Sequence, residues 1–562
     1  MNYRIISAFL GMIAVILGLS MFLCLPWGLP AFGGGSSEVR GAVGLLLSGG
    51  LSTLLGAILI VLGRRADKQR LFRKEAIIIV SLSWILAIIL SATPYLFSKT
   101  ERVPGVPMSF CDALFESASG LTTTGATVFG ELENTETLPR TILFWRGMTH
   151  FLGGLGVVCI FVVLIGYGSS GKAVMKIEHS VSGSIPASKI RTQATYLFYV
   201  YISLNVACGL LLLLCGMSLY DAITHSFSVI ATGGFSTHNA SIAYFTGAPH
   251  TNGLAIECVI IFFMIVSGTN HWLLYWAAIG QPQRLFRDSE WRLYVSLILL
   301  GIAITTSFGL LHGDFRIAPK TQDGPPAVGV ALDGILTNDG SEDPETLNRR
   351  PQTTINTSAE RAHPLNAVHR SAFHVVSLMT GVGFVTERYE LWNSTSLTVL
   401  MILMFVGGCA GSTSGGAKVF RVLLSFKALI RYLSETFSPN VVRTTRLDGE
   451  NIDKGALYSA VVYIFVMHVL IFFTAIFVMS FEPNGIWLAR GESQVEKMTD
   501  IYVASISLFG NVGPAFGALG SFENYGALTS PTKLVFSSAM LLGRLEVWTV
   551  LALLSPNFWR DR

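Results

Sequence analysis

Charge is what this chain has least of. Only 13% of its 562 residues are Asp, Glu, Lys or Arg, about half the roughly 25% of a soluble globular protein. A soluble chain of this length divides into several domains, each with a charged surface, and 39 Lys+Arg with 35 Asp+Glu are too few to build them. The shortage excludes a secreted globular protein, a disordered chain and a nucleic-acid binder. Cysteine is sparse too. The seven are scattered, mostly within apolar runs and without a CxxC pair, so they read as small packing residues and not as a disulfide or metal framework. What abounds is apolar: 51% hydrophobic residues and a mean hydropathy of +0.56. The implied solvent is the bilayer.

A helix crosses a hydrocarbon core of about 30 Å with about 20 residues. Ten stretches qualify: 5–25, 43–63, 76–97, 141–166, 194–216, 254–279, 292–312, 397–427, 456–481 and 533–555. The first is too long for the apolar core of a signal peptide, and a second span follows it, so it reads as a mature helix. Ten spans put both termini on one side. The positive-inside rule makes that side the cytoplasm, where the cluster Arg64, Arg65, Lys68, Arg70, Arg73 and Lys74 and the basic stretch from Lys418 to Lys454 then fall. The polar stretch 313–366, rich in Asp, Asn, Pro and Thr, reads as an outer, partly disordered insertion.

Between pairs of spans lie segments too short or too polar to cross, and four of them align without gaps. They read DALFESASGLTTTGAT from Asp112, DAITHSFSVIATGGFS from Asp221, RSAFHVVSLMTGVGFV from Arg370 and DIYVASISLFGNVGPA from Asp500. The eighth residue is always serine (Ser119, Ser228, Ser377, Ser507) and the fourteenth always glycine (Gly125, Gly234, Gly383, Gly513). Each predicts a short helix of about ten residues, capped near its acidic start, that breaks into a Gly/Thr-rich stretch. Singly, each is equally an ordinary loop with turn glycines. Four copies in one register point to one path lined four times, since irregular backbone at membrane depth must be buried in protein or face water.

The chemistry that suits such a path is cation dehydration, in which backbone carbonyls replace the ion's water. The candidate ring is Thr123-Thr124-Gly125, Thr232-Gly233-Gly234, Gly381-Val382-Gly383 and Asn511-Val512-Gly513. Glycine permits dihedrals that aim successive carbonyls at one axis, and the short helices direct their partly negative C-terminal ends inward. With no carboxylate in any tripeptide, the ring suits a weakly hydrated monovalent ion such as potassium better than a divalent one.

These segments, with FWRGMTHFLGGLGV at 144–157, GGCAGSTSGGAKVFR at 407–421 and MLLGRLEVWTVLALLSPNFWR at 540–560, resemble the TrkH/KtrB potassium-uptake family over nearly the whole chain. The two extra N-terminal spans resemble the TrkH branch. The resemblance implies an all-α membrane protein in which a two-span region (1–75) precedes four span–pore loop–span repeats around one pseudo-fourfold pore. Their expected boundaries are 76–192, 193–291, 292–455 with its 313–366 insertion, and 456–562. It implies potassium as substrate, no covalently bound cofactor, no enzymatic activity, a homodimer in the cytoplasmic (inner) membrane in contact with lipid, and a cytosolic, nucleotide-binding gating ring like TrkA. Gly125, where some sodium-favouring plant relatives carry serine, supports potassium. The 313–366 insertion departs from the family pattern.

Two further features gain meaning from that resemblance. The span 397–427 is interrupted by Gly407, Gly408, Gly411, Ser412, Thr413, Ser414, Gly415 and Gly416, poor helix formers. Alone this fits close helix packing; the resemblance implies a flexible gate beneath the ring. GSTSGGAK is not a phosphate loop, because Gly416-Ala417-Lys418-Val419 lacks the required Lys-Ser/Thr and lies in a span. Arg544 falls mid-span, too far from either interface to snorkel, where an arginine costs about 2.5–3.5 kcal/mol. The resemblance puts it just below the ring as an electrostatic barrier.

Arg146, near its span's end, reads as snorkelling or ion-paired. His225 and His374 read as packing or hydrogen-bonding groups, with proton coupling as the other possibility. Asp112, Asp221 and Asp500 read as helix N-terminal residues. A secondary carrier with a midplane site is the alternative function, although such carriers usually show inverted repeats and these share one orientation. An intramembrane enzyme lacks any HExxH, suitable GxSxG or carboxylate pair in the sequence.

Overall fold

The computed structural model describes residues 2–30, 35, 38–64, 73–166, 187–248, 250–315, 364–438, 444–545, 547, 553 and 555–560. Most of the 313–366 stretch, part of the first basic cluster and most of the final span's second half lie outside them. Helices dominate. They are α1 (Tyr3–Phe22), α2 (Glu38–Leu62), α3 (Arg73–Phe97), α4 (Phe110–Leu121), α5 (Arg140–Gly166), α6 (Ala187–Leu214), α7 (Leu219–Ile230), α8 (Gly253–Ser267), α9 (His271–Ala278), α10 (Ser289–His312), α11 (Pro364–Thr380), α12 (Ser394–Val406), α13 (Val419–Phe437), α14 (Lys454–Phe481), α15 (Gln494–Phe509) and α16 (Ser530–Arg544).

Two small antiparallel hairpins qualify the all-α expectation. One pairs β1 (Glu101–Val103) with β2 (Val106–Pro107), the other β3 (Thr445–Leu447) with β4 (Glu450–Ile452).

Among the described residues, six helices are long and apolar enough to cross a bilayer, or seven if a bent pair counts as one. That pair corrects the expected unbroken span at 254–279. α8 stops at Ser267 and α9 leaves at 106°. The cause is local: Asn270 caps a new helix by accepting from Trp272 N at 2.9 Å, and the Gly268 carbonyl takes Cys409 N at 2.9 Å instead. The span expected at 397–427 is likewise two helices, α12 and α13, around the loop 407–418.

α1 and α2 pack closely because glycines face each other at sevenfold spacing. A Cβ on Gly11 would lie 2.6 Å from Gly56 O, and one on Gly18 would lie 2.7 Å from Gly49 O, the small-residue contact that lets helices associate in lipid. Buried Glu38 on α2 then caps α5, accepting from Arg140 N (2.7 Å) and Thr141 N (3.1 Å).

The other helices meet in triads, each a long helix, a short one and a second long one: α3–α4–α5, α6–α7–α8, α10–α11–α12 and α14–α15–α16. The last helix of each triad also packs on the short helix of the next, α5 on α7, α8 on α11, α12 on α15, and α16 back on α4. The order closes on itself.

The short helices correct the expected starts. α4 and α7 begin as expected, with Ser109 and Ser218 as caps. α11 and α15 begin six residues early, at Pro364 and Gln494. A Ser493–Glu496 capping box starts α15, so Asp500 sits mid-helix and accepts from Trp487 Nε1 (3.0 Å) and Ala518 N (2.9 Å).

Candidate ion-conduction site

Each short helix ends in a loop with the same unusual backbone. The first and third residues of every tripeptide have positive φ: Thr123 +52° and Gly125 +82°, Thr232 +56° and Gly234 +78°, Gly381 +77° and Gly383 +74°, Asn511 +50° and Gly513 +104°. The residue between is right-handed or extended. Such alternation lines successive peptide groups up on one side. Thr123 and Thr232 are β-branched, and a non-glycine residue held there costs about 1–3 kcal/mol, so surrounding structure must impose the shape.

It does so from two directions. Within each loop, the middle residue's N–H donates to the carbonyl of the serine shared by all four segments: Thr124 to Ser119 (2.9 Å), Gly233 to Ser228 (2.7 Å), Val382 to Ser377 (3.0 Å) and Val512 to Ser507 (2.9 Å). Three of those serines also donate their hydroxyls beyond the glycine, Ser228 to Phe235 O, Ser377 to Phe384 O and Ser507 to Pro514 O. Between loops, each glycine passes against the neighbour's middle carbonyl. A Cβ on Gly125 would lie 2.1 Å from Gly233 O, on Gly234 1.9 Å from Val382 O, on Gly383 2.0 Å from Val512 O, and on Gly513 2.5 Å from Thr124 O. All twelve tripeptide residues thus meet in one closed ring with the C-terminal ends of four helices directed at it. Fixed carbonyls, helix ends and no fixed charge can replace the hydration of a monovalent cation.

The loop 407–418 packs against the same assembly. Gly407 folds onto Gly415 and Gly416, and Gly408 N donates to Ser414 Oγ (3.0 Å). Ser412 Oγ donates to Cys409 O, and Gly411 O accepts from His271 N (3.2 Å). Thr413 Oγ1 donates to Ile230 O (2.9 Å) at the end of α7, and a Cβ on Gly415 would lie 2.2 Å from Gly510 O at the end of α15. Buried Arg544 donates to Thr413 O and, at 3.3 Å, to Gly153 O on α5. It therefore spans from α16 to this loop and to the first triad.

Several residues here carry a role that the sequence reading gave them no sign of. His150 accepts from Phe235 N at 3.2 Å through Nε2, which makes Nδ1 the donor to Gly120 O at 2.7 Å, and its ring stacks on Phe235. It wedges the first two loops. Glu116 pairs with Arg146 (2.6 Å), resolving that arginine as ion-paired and buried; it also takes Val128 N, while Arg146 donates to Ser236 O. Glu290 on α10 accepts from both ends of the loop, Ala410 N and Phe420 N. Glu116 is an acid inside a segment whose only other charge is Asp112, which was the available signal; Glu290 sits in the charged stretch RLFRDSEWR, which gave none, and His150 lies in a stretch used only for its resemblance.

His225 and His374 hydrogen-bond locally, through Asp221 O and Ser236 Oγ, and through Arg370 O and Thr386 N. Asp112 is a capping-box residue that also pairs with Lys533. Past the ring, Glu133 is held below the usual carboxylate range by the hydrogen bond to His238. Among the described residues, no cluster of three or more His, Cys, Asp or Glu could hold a metal ion.

The TrkH family model, described as cation transport protein, matches residues 49–311 and 356–560. The Trk system potassium uptake protein TrkH of Salmonella typhimurium is 31% identical over 503 residues, 88% of each chain. That of Halomonas elongata is 32% identical over 519 residues, 91% of each. The crystal structure of the potassium transporter TrkH from Vibrio parahaemolyticus superposes over 100% of both chains with a TM-score of 0.77 and 27% identity.

Proposed function

The chain belongs to the TrkH cation transport family, and on that premise we propose that it carries potassium into the cell through the carbonyl ring. Four span–pore loop–span units surround one pore, the twelve tripeptide residues form its filter, the loop 407–418 is its gate, and Arg544 is an electrostatic barrier between them. The observation that carries this reading is the ring itself: four loops of alternating φ, each glycine pressed on the next loop's carbonyl in closed order. Both termini face the cytoplasm, where the basic stretch from Lys418 to Lys454 lies. The protein works as a homodimer with a cytosolic nucleotide-binding ring that acts on the gate. What supports this assembly is the family resemblance of the sequence, with relatives named as parts of a Trk system.

The purified chain in liposomes, with and without a cytosolic partner and with imposed sodium or pH gradients, tests the proposal. Potassium or rubidium should enter in preference to sodium. Sodium passing as readily as potassium would overturn the filter reading, and absence of cation flux under every condition would overturn the function.

A further inference from the structure

The four seams of the ring are unequal. A Cβ on the glycine would lie within 2.1 Å of the neighbouring carbonyl at three seams but at 2.5 Å where the fourth loop meets the first. The first loop also lacks the serine hydroxyl tie: Ser119 Oγ has no hydrogen-bond partner among the described residues, whereas the hydroxyls of Ser228, Ser377 and Ser507 each hold their own loop.

A side chain stands at this seam instead. Asn511 Nδ2 donates across it to Thr124 Oγ1 at 2.9 Å and to Met540 O on α16 at 3.0 Å, one turn before Arg544. The proton directions beyond it are settled by supply. Thr122 Oγ1 uses its one proton on Ala118 O (2.7 Å), so Thr124 Oγ1, which accepts from Asn511, donates to Thr122 Oγ1 (2.7 Å). A continuous buried chain therefore runs from α16 through the fourth and first loops into α4. Among the described hydrogen bonds, no other tripeptide side chain donates to a neighbouring loop. Asn511 also accepts its φ of +50° more readily than a β-branched residue.

We propose that the Asn511 carboxamide is a specificity-determining strut: it fixes the one seam that backbone packing leaves looser, and so sets how well the ring discriminates potassium from sodium. The inference rests on the filter reading above. Discrimination by cavity size requires that all four sides keep their spacing when a smaller ion enters, and discrimination by carbonyl field requires that all four sides keep their carbonyls on the ion. The Asn511 carboxamide acts through Thr124 and α16, positioning the seam, and does not itself ligate the ion.

The test measures rubidium uptake and its competition by sodium in liposomes for wild type, Asn511→Ala, Thr124→Val, the double variant and Thr124→Ser. Removing either end should weaken discrimination, taken as the ratio of rubidium to sodium uptake within each variant, roughly tenfold, the factor supplied by one net hydrogen bond. The double variant should be no worse than either single, because both remove the same link. Thr124→Ser, which keeps the hydroxyl, should restore wild-type discrimination; should Asn511→Ala fail to fold, the Thr124 pair alone decides. Wild-type selectivity in Thr124→Val, or losses that multiply in the double variant, would overturn the strut. A wild type that itself fails to favour rubidium would instead overturn the filter reading.

Discussion

The ring of tripeptides and the loop 407–418 are both glycine-rich, irregular backbone inside a helical bundle, yet backbone and side-chain contacts hold them in different proportions. In the ring, backbone packs on backbone: each glycine meets a carbonyl of the next loop, and each loop is pinned to its own helix through the shared serine. The loop does fold on itself, but its ties to the rest of the protein include single side chains sent from elsewhere. Glu290 receives Ala410 N and Phe420 N, Arg544 holds Thr413 O, and Thr413 itself reaches Ile230 O. Packing shared around a closed ring has no part that can leave alone, whereas side-chain anchors break one at a time. Glycine content does not tell the two elements apart; the kind of anchor does.

The sharpest way to break this contrast is to insert one methyl group into the ring. Gly234→Ala places a Cβ 1.9 Å from Val382 O at a φ of +78°, so uptake should fall to background. Gly485→Ala, where nothing lies within 4 Å, should transport normally. Measurable uptake by Gly234→Ala would show that the ring yields, and the contrast with the loop would collapse.

A smaller change comes from the loop's side. Arg544→Ala removes the buried cation and frees Thr413 O, so potassium flux should rise severalfold with selectivity kept. Unchanged or lower flux would remove the barrier role and leave Arg544 as a purely structural clasp.

The smallest effect separates the loops from one another. Ser377→Ala loses the hydroxyl bond to Phe384 O and should lower stability by about 1 kcal/mol. Ser119→Ala, whose hydroxyl has no partner among the described residues, should change it little. Thermal unfolding of the purified variants in one detergent would read the difference, and equal losses would mean that the first loop is tied like the others.

Much of this site was legible in the chain. The shared serine and glycine marked the register of four segments, and the positions at which backbone must turn left-handed or approach another chain are those where few residues fit. The role of the serine was not legible, because its carbonyl and hydroxyl serve partners five to seven residues away across a loop whose path no local pattern gives. Nor were the starts of α11 and α15. Residue type at Asp500 suggested a cap, but Ser493 and Glu496 cap the helix earlier and free Asp500 for Trp487 and Ala518. The break at Gly268 was marked only by the short polar run SGTNH at 267–271, which the apolar flanks outweigh in the mean, and hydropathy records what residues are, not the direction in which the chain leaves.

By itself, then, the sequence determined the solvent, the repetition and the uncharged character of the four tripeptides, since a deficit of charge, a repeated register and the absence of carboxylates are properties of composition and order. Only the tertiary structure decided how that path is closed and what holds it. The ring depends on glycines meeting carbonyls more than a hundred residues away, and Asn511, His150, Glu116, Glu290 and Arg544 act through partners on other elements. Such contacts follow from folding, and no spacing along the chain encodes them.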